Sequence, residues 1–157
     1  MSDLYHLFAR ANDDPTGAAV GDLNQHVIAE FRANAGKVAG PFAGQDLLLL
    51  HHRGAKTDVE RVTPLGYLNH QDTVFIVASL GGAPANPAWY HNIKAHPETT
   101  IERGAETTAV LASELSADER LAVWSPFTAR YPDLLRSQTL TTRVFPVFRL
   151  TPLAGDS

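Results

Sequence analysis

Two cations sit on a short turn, Arg53-Gly54-Ala55-Lys56-Thr57, and Arg61 follows closely. Positive charge and free backbone N–H groups on such a turn make a cradle for an anion. It is not a Walker A loop, because the G-x-x-x-x-G-K-[ST] spacing is absent. Asp58 and Glu60 offer the plainer reading, a solvated hairpin whose charge they balance. A second chemical signal is Ser79-Leu80-Gly81-Gly82-Ala83-Pro84-Ala85-Asn86-Pro87. It follows an apolar run and opens a helix, so glycine lets a ligand come close to the backbone while the helix start presents N–H groups and positive dipole. An ordinary strand-to-helix connection explains it equally well. Trp89 and Tyr90 stand on the first turn of that helix, where either ring can stack on a flat cofactor or simply pack in the core.

The seven histidines raise the question of a metal. Their spacing argues against one. His51 and His52 are adjacent on an expected strand and face opposite sides. His91 and His96 lie five apart, not at the three or four that share a helix face. One of the His51/His52 pair is expected to face a ligand site. There is no H-E-x-x-H, no G-x-S-x-G, and no evident acid–base pair of carboxylates. With no cysteine, thiolate nucleophiles, disulfides and iron–sulfur clusters are excluded. Elimination alone favours a cofactor-dependent reaction over hydrolysis.

The elements that must position these residues can be read from pattern. The 157 residues suit one domain, and 44% hydrophobic against 19% charged residues suits a packed core. Thirteen Lys+Arg against seventeen Asp+Glu, net −4, excludes a broadly basic nucleic-acid binder. Residues 1–21 read as a loosely attached N-terminal segment, 22–152 as the folded domain and 153–157 as a tail. No run approaches the length that spans a bilayer, so the protein reads as soluble and cytoplasmic, with no stable membrane insertion. Any touch on a membrane would come from Leu4, Leu7 and Phe8 in the N-terminal segment.

A helix is expected over 22–35, capped by Asp22, with Leu23, Val27, Phe31 and Ala35 on one face. The aliphatic run at 46–53 suits a strand buried on both faces. Residues 61–68 and 73–79 read as a hairpin turning at 69–72, with Pro64 marking an edge or bulge. Asn86 should cap the helix that Pro87 opens and Pro97 closes at Ala95 or His96. A hairpin 99–103/106–114 turns at Gly104. A capping box, Ser116 with Glu119, starts a helix carrying Leu121, Trp124 and Phe127 on one face and ending at Tyr131-Pro132. A last strand runs 145–150. The fold class is therefore α+β: about six mostly antiparallel strands in a small barrel or sheet with outer helices.

Several of these stretches together resemble a known family. Phe31-Arg32-Ala33-Asn34-Ala35-Gly36-Lys37-Val38, the 53–57 turn, Arg61-Val62-Thr63-Pro64-Leu65-Gly66-Tyr67, Ala78-Ser79-Leu80-Gly81-Gly82-Ala83-Pro84, Asn86-Pro87-Ala88-Trp89-Tyr90-His91-Asn92 and Tyr131-Pro132 with Arg143 run in collinear order. They are similar to the deazaflavin-dependent nitroreductases and quinone reductases of actinobacteria, users of coenzyme F420. The resemblance implies a split β-barrel of the FMN-binding type. It implies hydride transfer from C5 of the reduced deazaflavin to an electron-poor small molecule: a quinone, a conjugated enone or a nitro compound. It implies that Lys56 and Arg61 hold the phosphate and the carboxylate-bearing tail. His52, Gly54, Thr57, Pro64, Leu65, Ser79, Gly81, Gly82, Ala83, Pro87, Trp89, Tyr90 and Asn92 would border the ring and its side chain. Ser79 and Tyr131 would be the polar groups beside the acceptor. FMN on the same barrel, or deazaflavin binding without turnover, are the competing expectations. The chain departs from the family pattern at Ala55, Asp58 and Leu80, where Arg, Gly and Lys are usual. It also departs at Leu134 and Ser137, where nitroimidazole-reducing members carry tyrosines, and at His51 and His52, where threonines are common.

Overall fold

The computed structural model describes residues 18–35, 47–79 and 86–153. In chain order the elements are α1 (Ala18–Ala33), β1 (Leu47–Arg53), β2 (Glu60–Gly66), β3 (Leu68–His70), β4 (Thr73–Val77), α2 (Ala88–Ala95), β5 (Glu98–Arg103), β6 (Glu106–Glu114), α3 (Ala117–Arg130), α4 (Asp133–Gln138) and β7 (Val147–Pro152). The seven strands form one antiparallel sheet in the order β2-β1-β5-β6-β7-β4-β3.

The two edge strands, β2 and β3, are separated in the chain by Tyr67 alone. In a flat sheet of this size the edges would stand roughly 30 Å apart, and one residue spans only about 3.4 Å. The sheet therefore curls until its edges meet at Gly66–Leu68, which makes it a split β-barrel. Alternation along each strand sorts the side chains into layers. Leu48, Leu50, Val74, Ile76, Phe148 and Leu150 point inside, where Trp89 and Ile93 of α2 join them. Leu47 and Leu49 point outward and are covered by Val27, Ile28 and Phe31 of α1. Phe75, Val77 and Val147 point outward elsewhere and are covered by Val123 and Phe127 of α3, Tyr131 and Leu134. The expectation that β1 is buried on both faces holds: Leu47 is 3% exposed and Leu48–Leu50 are 0%.

Several expectations shift. The first helix starts at Ala18, so Asp22 lies inside it and cannot cap it, and residues 18–21 belong to the helix rather than to a loose segment. Ala35 lies beyond that helix in the left-handed region, φ 54°. The hairpin expected from 61–68 and 73–79 is β3–β4 instead, turning at Gln71 and Asp72, both at positive φ. Neither residue is a glycine, so the usual turn signature is missing. β2 pairs with β1 and puts Pro64 opposite Leu49 on the sheet edge, where a missing N–H costs no ladder bond. Pro87 rather than Asn86 stands at the start of α2, with no side-chain cap. The capping box at Ser116 and Glu119 forms in both directions. Leu121 is exposed, and Val123 and Phe127 face the core in its stead. α4 was not expected, and the last strand begins at Val147 rather than Phe145.

Tyr131 secures the seam. Its ring approaches Gly66 so closely that an added Cβ would sit 3.2 Å from it. Its hydroxyl donates to the Tyr67 carbonyl at 2.6 Å. Tyr131→Phe keeps the ring and removes that bond, and should lower the unfolding free energy by about 1–2 kcal/mol in urea titration. An unchanged unfolding midpoint at the same m-value would show that the hydroxyl carries no weight at the seam.

Candidate active site

The curl of the barrel brings together the two segments that the sequence singles out separately. The β1–β2 turn and the first turns of α2 form two walls of one pocket of about 610 Å³, lined by Gly54, Ala55, Lys56, Thr57, Arg61, Ala88, His91 and Asn92. The turn is closed on itself by Gly54 N–H to the Val59 carbonyl at 2.9 Å and Asp58 N–H to the Gly54 carbonyl at 2.9 Å. A Cβ on Gly54 would lie 2.2 Å from Thr57 Oγ1, so any other residue there would displace the Thr57 hydroxyl from the turn. Lys56 and Arg61 are exposed, and neither forms an ion pair among the described residues. Asp58 pairs with Arg53 at 3.6 Å instead, which leaves the charge of the other two unbalanced.

Helical spacing decides what α2 offers. Trp89 and Ile93, four apart, enter the barrel interior, where Trp89 meets Phe148 edge-on at 6.0 Å. Ala88, His91 and Asn92 take the opposite face and line the pocket. Trp89 is thus a core residue, 5% exposed. Tyr90 is half-buried, bonds Glu114 through its hydroxyl at 3.2 Å and also meets Phe148. Ala88 and His91 were not singled out from the sequence, although the i, i+3, i+4 spacing with Asn92 carries that signal.

Beneath the pocket lies a polar chain. The Ala55 N–H donates to Asn92 Oδ1 at 2.9 Å. The Asn92 amide group therefore faces His52 Nδ1, 2.9 Å away, and donates to it. His52 Nε2 then carries the proton and donates to Thr63 Oγ1 at 2.8 Å. This tautomer follows from the obligate donor at Ala55. His52 is 4% exposed, and burial, with lesser contributions from Arg61 and His51, pushes its pKa down to about 4. His51 faces the other way, as alternation requires. It lies between Glu60 at 3.1 Å and Glu102 at 2.7 Å, and Glu102 is also gripped by Arg32 at 2.7 Å. The Arg32 bond is the main cause holding the Glu102 carboxyl below its ordinary range.

Ahead of α2 in the chain, Arg143 bonds the carbonyls of Ala78 at 2.9 Å and Ser79 at 2.8 Å, together with Asn86 Oδ1 at 2.5 Å. It fastens both flanks of the 80–85 segment, and this is where the Asn86 side chain goes instead of capping. Ser79 is 1% exposed, and its Oγ has no hydrogen-bond partner among the described residues. Pro64 and Pro87 are buried, and Leu65 packs partly buried on the barrel interior. Leu80, Gly81, Gly82 and Ala83 lie outside the described residues. Tyr131 has its hydroxyl committed to the barrel seam, as above. Leu134 and Ser137 are buried in or near the α3–α4 layer, at 0% and 5% exposure. No three His, Asp or Glu among the described residues are arranged to hold a metal ion. No helix among them is long and apolar enough to cross a membrane.

Comparison with known proteins decides the family. The model of the F420H(2)-dependent quinone reductases matches residues 23–152. The chain belongs to that family. A Mycobacterium tuberculosis protein named an F420H(2)-dependent quinone reductase is 35% identical over 127 residues, covering 78% of this chain and 85% of its own length. Another from the same organism, provisionally given the same name, is 38% identical over 105 residues, covering 67% and 88%. A solved structure described as an F420-H2 dependent reductase superimposes with a TM-score of 0.61 at 34% identity, covering 67% of this chain and 93% of that one. Membership makes the chain an oxidoreductase of the reduced deazaflavin coenzyme and agrees with the split barrel.

The buried histidine has a consequence for pH. The unfolded chain protonates His52 near 6.5, whereas the fold resists protonation until about 4. Below 6.5 the unfolded state binds more protons, so stability falls as the pH drops toward 4. Between pH 7 and pH 5 this one group should remove about 2 kcal/mol. Urea unfolding of wild type and His52→Asn at both pH values measures it. The pH-dependent loss should be smaller in the variant by about that amount, and equal losses would show that His52 titrates normally in the fold.

Proposed function

We propose that this protein binds the reduced deazaflavin with its phosphate and carboxylate tail against Lys56 and Arg61, and passes hydride to an electron-poor small molecule. A quinone is the first acceptor expected. Conjugated enones and nitro compounds are further candidates, and we place the reaction in the cytoplasm. The observation that carries this reading is a pair of exposed cations, with no counter-ion among the described residues, on one pocket of a chain in this family. Their chemistry fits an anionic cofactor. The buried Ser79 Oγ, with nothing to bond among the described residues, fits a site completed by a polar ligand.

When bound, the cofactor supplies a hydride from C5, and the acceptor takes that hydride and a proton. What this chain supplies is placement. The turn residues Gly54 and Thr57 hold Lys56 in position, and Pro64 and Leu65 form the barrel edge beneath. In this reading Ser79 donates its hydroxyl hydrogen to the oxygen on which negative charge develops. Gly81, Gly82, Ala83 and Pro87 border the ring. Tyr131 acts by holding the seam behind the site. With Leu134 and Ser137 in place of tyrosines, reduction of bulky nitroimidazoles should be poor.

FMN is the competing cofactor, and it carries one phosphate but no carboxylate tail. Lys56→Ala and Arg61→Ala should each raise the deazaflavin dissociation constant about tenfold at low salt, consistent with charged hydrogen bonds of about 1.5 kcal/mol. The effect should shrink in high salt, and FMN affinity should change far less. Equal losses for both ligands, or none, would remove the basis of the assignment. Tight binding without oxidation by any quinone would make the protein a carrier of the cofactor instead.

A further inference from the structure

The chain from Thr63 to Ala55 reaches the pocket through Asn92 and Ala55, and His52 stands behind them, outside its lining. His52 has both ring nitrogens engaged, one with Thr63 and one with Asn92. Asn92 in turn gives its oxygen to the Ala55 N–H. Among the described residues, that bond is the one hydrogen bond tying the 54–59 turn to α2. Lys56 is the next residue along, so the geometry that fixes Ala55 also fixes the base of the Lys56 side chain.

We infer that His52 is a positioning residue: it does not touch the cofactor, but orients Asn92, which anchors the basic turn through Ala55. The inference rests on the reading of the pocket as the deazaflavin site. It specifies which tautomer does the work. Only Nδ1 as acceptor leaves the Asn92 amide group as donor and its oxygen free for Ala55. If the Asn92 side chain turned over, two N–H donors would face each other at Ala55, and the turn would lose its hydrogen bond to α2, keeping only the longer Asp58–His96 contact at 3.8 Å. Burial keeps the imidazole neutral and so keeps this arrangement in place at neutral pH.

The stereochemistry of two substitutions tests this. Asparagine at position 52 places its side-chain oxygen as many bonds from Cβ as Nδ1 and can still accept from Asn92. Glutamine reaches toward Thr63 and leaves the Nδ1 position empty. Two quantities are read: hydrogen exchange of the Ala55 amide in cofactor-free protein, and the deazaflavin dissociation constant. His52→Gln should speed Ala55 exchange about tenfold and raise the dissociation constant about tenfold, as expected for loss of one buried hydrogen bond. His52→Asn should leave both within about threefold of wild type. Asn92→Ala removes the anchor from its other side and should reproduce the glutamine result if His52→Gln fails to fold.

A rise in the dissociation constant with unchanged Ala55 exchange would overturn the inference, making His52 or Asn92 a direct cofactor contact. No change in either quantity would also overturn it, reducing the pair to filling space. Should wild type bind no deazaflavin, the functional reading fails, while Ala55 exchange still decides whether the chain anchors the turn.

Discussion

A single residue, Tyr67, joins the two edges of a seven-stranded sheet. Everything else in the structure depends on the closure this forces. A curled sheet has an inside that must be filled, and the alternating residues of β1, β4 and β7 fill it with α2 packed against them. α2 needs Trp89 and Ile93 inward to do so, and its other face, with Ala88, His91 and Asn92, is turned toward the β1–β2 turn. The pocket is therefore a by-product of core packing. The seam that creates it is held by Tyr131, whose hydroxyl reaches Tyr67 and whose ring packs so closely on Gly66 that a side chain there would have to push it back.

Polar groups then refine what packing places. Two arrangements act at opposite sides of the start of α2. The Asn92–His52 chain ties the basic turn to the helix from within. Arg143 ties Ala78, Ser79 and Asn86 together at the flanks of the next connection. Each replaces regular secondary structure where backbone groups would otherwise lack partners. Lys56 and Arg61 are the opposite case, exposed charge with no ion pair among the described residues to balance it.

Much of this was legible in the sequence because it rests on local rules. A continuous aliphatic run marked β1 as buried on both faces, Pro64 marked an edge or bulge, and Ser116 with Glu119 marked the start of α3. The alternation of His51 and His52 was likewise readable. What was not legible is long-range. The turn at Gln71 and Asp72 falls inside the expected 69–72, but the break at Tyr67 and the pairing of Glu60–Gly66 with β1 rest on contacts across the sheet that no local signal announces. The residues alone leave Trp89 open between a cofactor and the core, the resemblance implies the cofactor, and its spacing to Ile93 is what turns the ring inward. His52 and Asn92 were grouped with the cofactor residues, but their bonds to each other join segments forty residues apart in the chain.

The central claim is that a basic pocket on a split barrel serves hydride transfer from a reduced deazaflavin to a quinone. Anaerobic mixing of the protein with reduced deazaflavin and a small quinone, followed by cofactor absorbance, tests it most directly. The account predicts reoxidation that needs the protein, saturates with quinone and is not supported when reduced FMN replaces the deazaflavin. Reoxidation no faster than in protein-free mixtures, or equal rates with both cofactors, would contradict it.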